Sequence, residues 1–121
     1  MEIQTDPSLS GLFHAISFQI AGIAIALLAN SANFALLLFA NTSGHEIALS
    51  VPIIATALFT VVWGDATLQS QIANIKDATV ETRNSHAYKF ISIQPYNLLR
   101  LMNLILAFSF AASQFSILFS R

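Results

Sequence analysis

Long apolar stretches and a single polar one alternate along this chain. Residues 11–40 form a run of thirty that carries no charge apart from any on His14. About 20 apolar residues cross the hydrocarbon core of a bilayer, so one helix here has length to spare. The surplus is taken up by tilt or projection of a single helix, or by a break at Asn30-Ser31-Ala32-Asn33. A hairpin at that point would leave residues 34–40 too short to cross back, so one span is predicted, with the Asn-rich patch near its far side. Asn41-Thr42-Ser43-Gly44 follows and is a turn by composition. Its match to the N-x-S/T glycosylation pattern carries little, because four loop residues held against a bilayer make a poor acceptor. A second span is predicted over residues 46–64. It is rich in β-branched residues, and Pro52 either opens the helix proper, with Ser50 near the cap, or kinks it one turn in.

The polar segment, residues 65–95, starts out amphipathic. Leu68, Ile72 and Ile75 recur at helical spacing, with Val80 loosely following, while Gln69, Lys76, Asp77, Glu81 and Arg83 fall largely elsewhere. The second span is therefore expected to continue as a helix into water and to end near Asn84-Ser85. Residues 88–93 are aromatic and β-branched around Lys89, which suits an extended segment or a short interfacial one. Pro95 then starts a third span over residues 96–119. The fold class this predicts is all-α: a single membrane domain over residues 1–121, with three transmembrane helices and a cytoplasmic helical extension after the second. Residues 1–10 read as a short polar tail. They lack Lys and Arg, unlike the start of a secretory signal, and Pro7 with Ser8 or Ser10 can open a helix.

Composition sharpens the class. Hydrophobic residues make up 55% of the 121 and charged residues only 9%. A soluble domain carries about 25% charged residues, so this chain lacks the polar groups to cover a water-exposed surface. A net charge of −1 offers no basic face for nucleic acid. The absence of cysteine excludes disulfides, thiolate metal sites and cysteine nucleophiles.

Orientation follows from the cations. Lys76, Arg83 and Lys89 lie in the polar segment, Arg100 lies just inside the third span, and only Arg121 lies at the opposite end. Cytoplasmic loops hold the excess of Lys and Arg, which puts residues 65–95 on the cytoplasmic or equivalent side of a bacterial inner membrane or an organelle membrane. Trp63, Tyr96 and Arg100 are the expected interface anchors. Aromatic rings sit at headgroup level, and an arginine four residues inside can snorkel back or pair with Asp65.

Small and polar residues recur every three or four positions on two spans. Gln19, Gly22, Ala26, Asn30 and Asn33 make one stripe; Asn103, Ala107, Ala111 and Gln114, continuing from Arg100, make the other. In lipid, small residues let backbones approach and amides bond across the contact, so both stripes are expected to be helix-packing faces. A second row, Ser109, Ser113, Ser116 and Ser120, raises the alternative of a water-lined path.

Few residues suggest reaction chemistry. His14, His45 and His86 cannot converge in a three-span topology, so neither a metal nor a haem site is expected within one copy. Thr60-Val61-Val62-Trp63-Gly64-Asp65 resembles the T-V-G-Y-G-D potassium-channel filter, but Val62 stands where the filter needs glycine. No phosphate loop, H-E-x-x-H or G-x-S-x-G occurs. The expectation is a small non-catalytic subunit without catalytic, cofactor or metal residues, which anchors or stabilises a larger membrane assembly. Its partners would be the lipid bilayer and other membrane subunits or copies of itself. The alternative is a small homo-oligomeric pore or membrane-permeabilising protein.

Overall fold

The computed structural model describes residues 6–120, so the first half of the tail read over residues 1–10, and Arg121, lie outside it. Five helices follow in order: α1 (Pro7–Phe39), α2 (Glu46–Lys76), α3 (Val80–Arg83), α4 (His86–Ser92) and α5 (Tyr96–Phe119). No strand occurs among the described residues. Three of these helices, α1, α2 and α5, are long and apolar enough to cross a membrane.

Local sequence explains the element ends. Asp6 caps α1 by accepting a 3.0 Å bond from the Ser8 amide, and Pro7 occupies the first turn, where its missing N–H leaves nothing unsatisfied. The helix then runs unbroken through the Asn-rich patch to Phe39, about 50 Å at 1.5 Å per residue. The turn back depends on Gly44, whose φ of 84° suits a residue without Cβ. Pro52 lies inside α2, which begins six residues earlier at Glu46. Ser50 does not cap; its hydroxyl donates to the Glu46 carbonyl at 2.8 Å.

The expected extension to Asn84-Ser85 is shorter than the periodicity predicts. α2 stops at Lys76, and the chain turns through Asp77-Ala78-Thr79 before the single turn of α3. Thr79 takes an extended backbone and caps α3, and the Arg83 guanidinium donates to the Lys76 carbonyl at the end of α2. Residues 88–93 are largely helical: α4 opens at a Ser85 cap, 3.2 Å from the Tyr88 amide, and ends at Ser92.

α2 is the middle helix and packs against both neighbours; α1 and α5 touch one another less. α1 runs antiparallel to α2, and α5 antiparallel to α2 in turn. The start of α1, the end of α2, both short helices and the start of α5 therefore share one end. At the other end Leu37, Ile53 and Leu118 close a small apolar core, one residue from each long helix.

Burial is inverted relative to a water-soluble bundle. Leu28 is 73% exposed and Phe108 66%, whereas Gln114 is 0% and Asn30 6% exposed. Most of the large apolar side chains coat the outside, and amides share the interior with a few buried aliphatic residues such as Leu12 and Leu118.

Candidate functional site

The polar seam is built by all three long helices together. Gly22, Ala26 and Asn30 of α1 are buried along it, with Gln19 and Asn33 half-buried at its ends. Ala107 and Gln114 of α5 are buried opposite, with Asn103 and Ala111 half-buried. The structure thus gathers both sequence stripes into a single contact zone on α2.

Four layers can be followed from the polar end. At the outermost, the Asp6 carboxylate accepts from the Thr82 hydroxyl at 2.7 Å and from the amide and hydroxyl of Thr79, each at 3.1 Å. One acidic side chain thereby caps α1 and ties it to α3. The Thr82 hydroxyl, then the Thr79 and Ser8 donors, stabilise the charged form and hold this carboxyl far below its ordinary 3.8.

In the next layer Gln71 donates to Gln19 at 2.5 Å, joining α2 to α1. Trp63 reaches across the same contact: its indole N–H donates to the Phe18 carbonyl at 2.7 Å, and its ring lies where a Cβ on Gly22 would be. Phe59 stacks on that ring and Phe18 meets it edge-on. On the α5 side, Arg100 pairs with Asp65 through Nε–Oδ1 at 2.5 Å and Nη2–Oδ2 at 3.4 Å. One turn deeper, Asn103 donates to the Thr60 carbonyl at 3.1 Å and packs over Gly64.

The deepest layer is an amide cluster. Gln114 donates to Asn30 at 2.8 Å and accepts from Asn33 at 3.2 Å; Asn33 also reaches the Thr56 hydroxyl at 3.3 Å. Asn30 donates to the Ala26 carbonyl of its own helix. Each of these amides is partnered, which is what a buried polar group needs when no water can reach it.

The three sequence-named anchors lie in different settings. Arg100 is engaged with Asp65, Trp63 packs against α1, and the Tyr96 hydroxyl donates to the Ile91 carbonyl at 2.9 Å. The sequence reading missed Asp6, Gln71, Thr56 and Thr82. For Asp6 a signal existed, since Asp before Pro at a helix start is a cap pattern. The other three sit on faces that only the partner helix defines.

Among the described residues no three His, Asp or Glu side chains gather closely enough to hold a metal ion. His14 and His86 lie exposed at the polar end, and His45 lies exposed at the other. The serine row faces outward: Ser109, Ser113, Ser116 and Ser120 are all exposed, and the Ser109 hydroxyl donates back to Ile105 at 2.7 Å. Compared with family models, curated proteins and solved structures, the chain matches none.

Proposed function

We propose that this chain is a small, non-catalytic integral membrane subunit that inserts by three spans and stabilises a larger membrane assembly. Its inverted burial carries the membrane part of the reading. Amides inside and leucine, isoleucine and phenylalanine outside are the arrangement lipid favours and water opposes. Lys76, Arg83, Lys89 and Arg100 gather at one end, which supports placing that end on the cytoplasmic or equivalent side. α2 runs past Asp65 to Lys76 beside the first turns of α1, so the extension is a helix pair, with Leu12 of α1 and Leu68 of α2 both buried. Phe90 of α4 and Ile93 just after it are exposed near Lys89, a composition suited to the headgroup boundary.

The subunit role rests on what the bundle leaves uncovered. Both packing stripes are consumed inside the chain, so the outer faces of all three long helices remain for a neighbour, and that of α5 carries the serine row. That row also supports the second reading, a homo-oligomeric pore lined by α5. Ser109 to Ser120 spans eleven residues, about 16 Å, which is roughly half of a hydrocarbon core of about 30 Å. The Ser109 back-bond satisfies that hydroxyl without water. The packed subunit is therefore favoured.

Two measurements test the choice. Purification in a mild detergent followed by mass spectrometry should recover other membrane subunits, or further copies, with the chain. The purified protein in a planar bilayer should show no discrete openings, and Ser113→Leu should alter assembly yield rather than ion flux. Unitary currents abolished by Ser113→Leu would install the pore instead.

A further inference from the structure

We propose that the open cleft between α2 and α5 at the Asp65–Arg100 pair is a headgroup site for one zwitterionic phospholipid. The inference rests on the membrane reading above. The cleft measures about 620 Å³ and grades from a polar mouth, with Asp65, Gln69, Asn97 and Arg100, to an apolar wall that includes Val62 and Leu104. Glu46 and Asp65 lie nineteen residues apart on one helix, about 28 Å. That matches a hydrocarbon core of about 30 Å and sets the polar mouth at headgroup depth, with the apolar wall on the core side.

The charges define the ligand. Arg100 turns Nε and Nη2 toward Asp65, and Gln69 donates to the same carboxylate at 2.6 Å. Among the described residues, the Arg100 Nη1 donors and the Asn97 side-chain amide have no protein partner. They offer a phosphate two sources of N–H beside the cleft. A carboxylate sits next to them and its charge is shared, not removed, by the pair. A headgroup with only negative charge meets repulsion from Asp65 as well as attraction from Arg100. A phosphate joined to an ammonium meets both groups with the favourable sign. The wall at Val62 and Leu104 then continues along the path of an acyl chain.

The test uses the full chain in its own membrane first. A carbonate wash should leave it in the pellet; release would overturn the membrane reading, and this inference with it. Retained protein is then taken into mild detergent and titrated, under native mass spectrometry, with phosphatidylethanolamine and phosphatidylglycerol separately. The expected result is one phosphatidylethanolamine per chain, held about fivefold more tightly than phosphatidylglycerol. Asp65→Asn should abolish or reverse that preference. Leu104→Trp, which narrows the wall without touching the pair, should weaken binding of both lipids. Glycerophosphoethanolamine, the same headgroup without chains, should not compete. Equal or tighter phosphatidylglycerol binding by the unaltered chain would overturn the site, as would an unchanged preference in Asp65→Asn together with unchanged binding in Leu104→Trp. Effective competition by the chainless headgroup would overturn the lipid as its occupant.

Discussion

Gly22 and Trp63 show how a single side chain settles a helix contact. An indole is as well suited to a headgroup layer as to a notch in a neighbouring helix, and its sequence position near the end of an apolar run favoured the former. In the bundle the ring fills the space that Gly22 leaves on α1, and its N–H takes the Phe18 carbonyl. That carbonyl already belongs to a helix, so the bond is an addition to the ladder, and its geometry holds α1 and α2 in one register. Gly22→Leu should therefore destabilise the chain by about 1–3 kcal/mol, because bulk at a filled contact forces helices apart or rings off their rotamers. Thermal unfolding in detergent, followed by circular dichroism, is the readout. Leu28→Ala, on the outer face of the same helix, should stay within about 0.5 kcal/mol of the parent. If Gly22→Leu melts with the parent, the Trp63 contact is not part of the folded state in detergent.

At the scale of elements, the polar end is organised by one carboxylate. Asp6 caps a long helix and accepts from the cap residue of a very short one, so the start of α1 holds the break at Asp77-Ala78-Thr79 in place. This explains why the amphipathic pattern after Asp65 does not yield one continuous helix. Periodicity reports which face is apolar; it does not report that Thr79 and Thr82 have an acceptor waiting 73 and 76 residues earlier in the chain. The donors lower the Asp6 carboxyl in the folded state relative to its ordinary 3.8. The sign follows directly: the contribution is complete above 3.8 and is lost progressively as pH falls below it, because protonation weakens the acceptor that four donors at the helix ends share. Amide chemical shifts of Thr79 and Thr82 should hold steady from neutral pH through the ordinary carboxylate range near about 4 and move together only well below it. In Asp6→Asn they should start displaced and show little dependence on pH. A parent-like titration in Asp6→Asn would assign the transition to another acid.

For the whole molecule, the arrangement of ends makes a topological claim. α1 starts, α2 finishes and α5 starts at the same end, and the 40–45 turn lies at the other. In a membrane these ends face opposite compartments. Single cysteines at Ser43, Ser70 and Ser85, in a chain that has none of its own, should label differently with an impermeant thiol reagent. Ser43→Cys should react from outside, and Ser70→Cys and Ser85→Cys only after permeabilisation. Equal labelling of Ser43→Cys and Ser85→Cys in sealed vesicles would remove the odd number of crossings between them.

The sequence by itself determined the class of the bundle. Three apolar runs of spanning length, a polar segment that concentrates the cations, and two stripes of small and amide residues were all legible. Each depends only on the spacing of residue types along one helix, and helical periodicity is a local property. The stripes gave the buried face of α1 and of α5 but not what they would meet. Tertiary structure decided that Gln114 joins Asn30 and Asn33, that Gln19 finds Gln71, and that Asp65 and Arg100 pair across α2 and α5. It also decided that the serine row looks outward and that residues 77–79 break the helix. These outcomes depend on rotation and register between helices, set by contacts such as Trp63 on Gly22 and Asp6 on Thr82. Such contacts join residues tens of positions apart, and no pattern along a single helix contains them.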